Sequence, residues 1–152
     1  MPDMDIIDQK IAAILQADSR SSSASLAEAV GVSVSTASER VRRLTANGDI
    51  SGWRASLKPT RFGIGLCAFI LIDMAYEGEE EARTTLVGRP EVQELHHISG
   101  AHSYVAKVRV PDTAAMQAFL QEVVKPLAAV IRTESMIVMD TAKETTEIGL
   151  PE

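Results

Sequence analysis

The sequence predicts an α+β chain in two parts, a small helical unit followed by a sheet unit of order βαββαβ. Three observations carry this reading. Residues 22–52 hold two short amphipathic segments joined at Gly31, the spacing of a helix-turn-helix. From residue 66 onward the apolar period becomes strand-like: Tyr104, Ala106, Val108 and Val110 alternate with Ser103, Val105, Lys107 and Arg109. Charge is segregated as well. Residues 1–64 hold eight Lys/Arg and seven Asp/Glu, whereas residues 65–152 hold seven and fourteen.

In the helical unit, Asp5 can cap a first helix whose Ile7, Ile11, Ile14 and Leu15 share one face. Residues 18–21 interrupt it. Ser22 caps a second helix with Leu26, Ala27 and Val30 inward, and Gly31 takes a turn that a Cβ would strain. Ser33 caps a third helix, in which Ala37, Val41 and Leu44 form the buried stripe. Its other side carries Ser35, Thr36, Ser38, Glu39, Arg40, Arg42 and Arg43. Short hydrogen-bonding side chains followed by arginines is the order a recognition helix needs, base edges first and phosphates after. Asn47-Gly48 ends the helix, and Ile50 to Leu57 reads as a short strand or wing. The competing reading is a helical hairpin with a solvated basic face.

Pro59 to Gly63 reads as a linker. Beyond it, Leu66 to Met74 is apolar on both faces, as in a strand covered on both sides. Glu77 to Val87 reads as an acidic helix stopped by Pro90, Val92 to Ser99 as a strand, and Gly100-Ala101-His102 as its turn. After the alternating third strand, Asp112 can cap a helix with Met116, Phe119, Leu120, Val123 and Val124 inward, ended by Pro126. Val130 to Met139 is the last strand. This order is that of a ferredoxin-like sheet with both helices on one face. The other face is bare in a single chain, so an apolar row of the first strand calls for a second subunit. The expected organisation is a winged helix-turn-helix domain (1–60), a linker (61–65), an effector and oligomerisation domain (66–144) and a tail (145–152).

The 152 residues are 45% hydrophobic, an ordinary globular composition. The single cysteine, Cys67, lies in an apolar run and permits no disulfide within the chain, which points to a reducing compartment. Residues 1–5 lead straight into an amphipathic pattern rather than a signal peptide. The longest apolar run, Ile64 to Ile72, is too short to span a bilayer as a helix. A soluble, cytoplasmic chain with no membrane partner is expected. The net charge of −6 disfavours DNA only until it is divided. Between Thr36 and Arg61 six basic residues, Arg40, Arg42, Arg43, Arg54, Lys58 and Arg61, face Glu39 and Asp49 alone. The basic part is the helix-turn-helix and its wing.

A set of residues then resembles the Lrp/AsnC, or feast/famine, family of transcription regulators over nearly the whole chain. In the first half they are Asp5, Asp8, Arg20, Ser22, Leu26-Ala27, Ser33, the run Glu39 to Leu44, Gly48, Ile50, Gly52, Pro59 and Gly63. In the second they are Pro90-Glu91-Val92, His97 to Gly100, Tyr104 and Lys143. The resemblance implies double-stranded DNA as partner, dimers paired through their sheets, and often octamers. It also implies an amino-acid effector bound between subunits around the turn after the second strand of the sheet unit. The implied effector residues are Gly100, Ala101, His102, Ser103, Tyr104 and, by its hydroxyl, Thr133. The family's aspartate before the tyrosine is Ser103 here, which can hydrogen-bond an amino group but not pair with it. Ala101 and His102 likewise replace more polar companions, and Ala128-Ala129 stand where the family often has Pro-Gly.

Other chemistry is less well supported. Adjacent His96 and His97 on a strand point to opposite faces, so with His102 they suit structural roles better than one metal ion. Asp73, Glu77 and Glu79 to Glu81 read as a solvated helix start, and Cys67 as core. Trp53 and Phe62, beside Arg54 and Arg61, suit packing between wing and linker better than stacking on nucleic acid. No phosphate-binding glycine loop or nucleophile elbow is present. The expected DNA-contacting residues are Ser33, Ser35, Thr36, Ser38, Glu39, Arg40, Arg42, Arg43 and Arg54, with no catalytic residue, metal or cofactor. An enzyme akin to the tetrapyrrole (sirohaem-type) decarboxylases, which look similar in both domains, is the rival; the arginine-rich third helix argues against it.

Overall fold

In the computed structural model, which describes residues 4–150, most helices begin where the sequence offers a short polar side chain. Asp5 Oδ1 accepts from the Asp8 N–H (2.8 Å) and opens α1, Ile6–Ala17. Ser22 Oγ accepts from the Ser25 N–H (3.1 Å) and opens α2, Ser23–Val30. Ser33 Oγ accepts from the Thr36 N–H (3.1 Å) and opens α3, Val34–Ala46. Each bond satisfies one of the N–H groups that a helix start leaves without an internal partner. Gly31, between α2 and α3, has φ +74°, the left-handed conformation that a Cβ disfavours.

These helices pack around Ile11, Leu15, Leu26, Ala27, Ala37 and Leu44, with Val41 and Ile50 at the margin. They belong to a first compact unit, which covers residues up to 56 and takes in residues 143–150 as well. Within that unit the amide of Gln16 donates to the Ile148 carbonyl (2.8 Å) and accepts from its N–H (3.0 Å). The expected wing is not a strand. Residues 51–58 carry no regular structure, and all strands among the described residues fall in the second unit. An isolated extended segment has no neighbour for its backbone groups, and Asn47-Gly48 with Ile50 N–H bonded to Leu44 O turns the chain out of α3 without forming a hairpin.

The second unit, residues 57–142, contains β1 (Leu66–Met74), α4 (Glu79–Val87), β2 (Val92–His97), β3 (Tyr104–Val110), α5 (Thr113–Phe119) and β4 (Val130–Ile137). A short 3-10 turn, Pro59–Phe62, precedes β1, and a π turn, Leu120–Val124, continues α5. The strands form one antiparallel sheet of order β2-β3-β1-β4, the ferredoxin-like arrangement that the element order implied. β1 spans the expected residues and β3 the expected alternating row, whereas β2 and β4 end two residues earlier than the sequence suggested. Gly78 (φ +82°) starts α4 two residues later than expected, and Gly88, not Pro90, ends it.

Register decides what is buried. Leu66, Ala68, Ile70 and Ile72 stand opposite Val110, Val108, Ala106 and Tyr104 on the face that Leu86 of α4 and Met116 and Phe119 of α5 cover. Cys67, Phe69 and Leu71 alternate with that row and point to the opposite face, where they stay half-buried. On that face Phe69 and Leu71 neighbour Lys107 and Val105 of β3 and Met136 and Glu134 of β4.

Candidate nucleic-acid interface and effector turn

The exposed side of α3 is less cationic than its sequence implies, because its arginines meet carboxylates. Arg40 Nη1 lies 2.6 Å from Asp5 Oδ2 and 2.9 Å from Asp8 Oδ1, and Arg43 Nη2 lies 2.6 Å from Asp8 Oδ2. Asp8 is buried, a setting in which a charged carboxylate needs this double pairing. The bond from Arg40, reinforced by the Asp8 N–H, holds the Asp5 carboxyl below its usual range. Arg40 is only 19% exposed. Its expected place on the solvent side is therefore corrected: Arg40 faces α1. Ala37 precedes it by three residues and Leu44 follows by four, so it flanks the buried stripe.

Arg42 is different. At 73% exposure it holds both Glu39 oxygens, at 2.6 and 2.9 Å, and a phosphate can compete for it. That pairing lowers the Glu39 pKa and raises that of Arg42. Arg43 is half exposed and open on one side. Arg54, in the segment after α3, forms no ion pair among the described residues. Ser33, Ser35, Thr36 and Ser38 are all exposed, but Ser33 Oγ also bonds the hydroxyls of Ser35 (3.0 Å) and Thr36 (2.7 Å). With the Thr36 N–H that makes three bonds, the full capacity of a hydroxyl, so Ser33 is a cap with nothing left for a base.

In the second unit the expected effector residues lie at one end of the sheet. Tyr104 and Thr133 both stand opposite Ile72, from β3 and β4, which puts them two strand spacings (about 9.5 Å) apart. Gly100 (φ +130°) and Ala101 are exposed at the turn leading into β3. The His102 ring Nδ1 lies 3.0 Å from Asp73 Oδ1, both side chains being about one-fifth exposed. Ser103 is stitched to β1: its N–H donates to Ile72 O (3.1 Å), and its Oγ accepts from the Met74 N–H (3.3 Å). Tyr104 is a correction. Its ring is buried and its hydroxyl donates to Glu79 Oε1 at 2.7 Å, a bond that with burial raises its pKa. An alternating strand start sends Tyr104 to the helix-covered face, away from any ligand at the turn.

The three histidines occupy separate settings. His96 lies 3.4 Å from Glu94, the His97 ring packs against Tyr104 with centroids 4.9 Å apart, and His102 meets Asp73. Among the described residues no group of three or more His, Cys, Asp or Glu side chains is placed to hold a metal ion, and no helix is long and apolar enough to cross a membrane. Sequence reasoning missed two features here. The i, i+3 spacing of Asp5 and Asp8 marked one acidic face of α1 for the arginines of α3. Val34, at the open N-terminal end of the stripe that Ala37, Val41 and Leu44 continue, is nonetheless 52% exposed.

A helix-turn-helix with an exposed polar third helix, attached to a ferredoxin-like sheet unit, defines a class: regulators in which a DNA-reading domain is joined to a ligand domain. Residues 4–45 match the AsnC-type helix-turn-helix domain and residues 67–148 the Lrp/AsnC ligand binding domain, and the chain belongs to the Lrp/AsnC family of transcriptional regulators. It is 36% identical to the leucine-responsive regulatory protein of Escherichia coli over 149 residues, 96% of this chain and 91% of that one. It is 32% identical to the HTH-type transcriptional regulator FL11 of Pyrococcus horikoshii over 147 residues, 97% of each chain. The solved complex of a Neisseria meningitidis transcriptional regulator with L-Met superimposes with a TM-score of 0.90 at 26% identity, covering 95% of this chain and 96% of that one. These relatives are regulators, so the decarboxylase reading falls and the chain is not an enzyme.

Proposed function

We propose that this chain binds specific double-stranded DNA through α3 and changes its assembly, and with it its DNA affinity, when a small amino-acid-like effector occupies the turn at residues 100–103. The observation that carries the reading is the exposed side of α3. Ser35, Thr36 and Ser38 lead, the Glu39–Arg42 pair follows, and half-exposed Arg43 and unpaired Arg54 lie further along the chain. The leading residues suit base edges in a major groove, and Arg42, Arg43 and Arg54 suit flanking phosphates. Ser33 and Arg40 hold the helix in place instead.

A dimer is the working unit, because two reading helices must sit at a fixed spacing to read paired half-sites. The bare sheet face suits the contact: Phe69, Leu71 and Val105 form its apolar centre, and the Lys107–Glu94 pair (3.1 Å) lies beside them. An effector acts only by binding two assembly states with different affinity. Gly100 and Ala101 offer open backbone for a carboxylate, Ser103 a hydroxyl, and His102 a ring oriented by Asp73. Thr133 flanks the same end of the sheet.

Selection from a randomised duplex pool with the full-length protein tests the DNA arm. The reading expects one enriched sequence with two related half-sites; a pool that stays random at low salt overturns it.

A further inference from the structure

We infer that Val34 is a specificity-determining residue that reads the 5-methyl group of a thymine in the major groove. The inference rests on the proposed docking of α3 and adds a base identity to it.

Val34 is the first residue of α3 and stands 52% exposed. Further along the same row, Ala37 and Leu44 are buried and Val41 packs against the same core, so Val34 is the residue of that row left exposed, at the start of the helix. A β-branched residue that leaves half its surface in solvent gains only part of the packing energy of a buried one and has modest helix propensity, so the fold makes little demand for valine there. Its neighbours are already engaged. Ser33 Oγ has three bonds, Ser35 and Thr36 each give one hydroxyl contact back to Ser33, and Glu39 holds Arg42 through both oxygens. The isopropyl group is the one apolar side chain of the opening turn that leaves about half its surface to solvent.

That group has one match among the bases. Thymine alone places a methyl group on the major-groove edge, and small apolar side chains recognise it by contact. The position also suits docking, because the N-terminal residues of a recognition helix approach base edges. The first turn of α3 carries no acidic residue to repel the phosphates. A valine in a helix occupies essentially one rotamer, so the contact costs little side-chain freedom.

The test uses the duplex enriched from the randomised pool and the full-length protein. Each thymine is replaced singly by deoxyuridine, which removes only the methyl group, and affinity is read by fluorescence anisotropy at fixed salt for wild type and Val34→Ala. The expected result is one thymine per half-site at which uracil weakens wild-type binding by about fourfold, the value of one buried methyl-sized group. Val34→Ala weakens binding to the thymine duplex by a similar factor and is indifferent to uracil at that position, whereas Val34→Ile keeps the dependence. An unchanged urea midpoint, read from Trp53 fluorescence, shows that the variants are folded. Uracil without effect at every position, or with the same effect on wild type and Val34→Ala, overturns this inference and leaves the regulator reading standing. A pool that yields no enriched duplex overturns both.

Discussion

Arg40 of α3 reaches back to Asp8 of α1, 2.9 Å away, and so joins a buried carboxylate to the helix proposed to read DNA. Asp8 takes Arg43 on its other oxygen, and Asp5 takes the same Arg40 nitrogen. The orientation of α3 thus depends on ion pairs as well as on the apolar stripe. Removing the buried partner of such a cluster leaves charge uncompensated in a place water does not reach.

Asp8→Ala is accordingly expected to destabilise the first unit by about 3 kcal/mol, at the lower end of the range for a broken buried pair because Asp5 still holds Arg40. The chain's single tryptophan, Trp53, lies in that unit and reports its unfolding in urea. A midpoint equal to wild type would show that the cluster carries no stability.

The Asp5 carboxyl sits below its ordinary range through the bonds from Arg40 and the Asp8 N–H. Its contribution is therefore present above the unfolded pKa, about 3.9, and is lost as pH falls through the lower folded value. Asp5→Asn keeps a good helix cap but loses the ion pair. Urea midpoints of variant and wild type should differ at pH 5–7 and converge as pH drops below that unfolded value. A difference that grows with acid would contradict the assignment.

How much of this was legible beforehand follows from the kind of signal each element carries. The β3 alternation is a local, two-residue period, and Tyr104, Ala106, Val108 and Val110 are all buried as it requires. The helix caps are equally local, and Asp5, Ser22, Ser33 and Asp112 all accept the expected backbone bond. The wing failed because a strand needs a partner, which a run of β-compatible residues does not reveal. The inward direction of Arg40 was readable from its place beside Ala37 and Leu44, but its charge suggested solvent. Only the fold brings Asp5 and Asp8 to it, across more than thirty residues of sequence. The burial of Tyr104 was readable from the same alternation that placed β3, had that row been assigned to the helix-covered face.

Sheet register separates two neighbouring substitutions. Ile70 is fully buried under the helices, whereas Leu71 points to the bare face. Ile70→Glu should prevent folding of the second unit, because a carboxylate there has no partner. Leu71→Glu should leave circular dichroism unchanged and halve the mass seen in sedimentation at micromolar concentration. A wild type that is itself a folded monomer would remove the dimer from the account.

At the effector end, Gly100 has open space beside it but a φ of +130°, so any side chain there is strained while nothing clashes. A thermal-shift screen of amino acids and small acids is expected to give at least one stabilising ligand, whose shift Gly100→Asp abolishes. Ser103→Asp, which restores the carboxylate of the family pattern, should strengthen the response to ligands bearing an amino group. Shifts indifferent to both substitutions would place the ligand elsewhere.

The central claim, that the exposed face of α3 docks on DNA with Arg42 on a phosphate, is tested most directly by the salt dependence of binding. Affinity for the selected duplex is measured by anisotropy over a series of salt concentrations for wild type and Arg42→Ala. The log–log plot for wild type should be a steep falling line, and the variant should bind all duplexes more weakly with a slope shallower by about 0.9, one phosphate contact fewer. An unchanged slope and affinity in Arg42→Ala would show that this face of α3 is not the one that meets DNA.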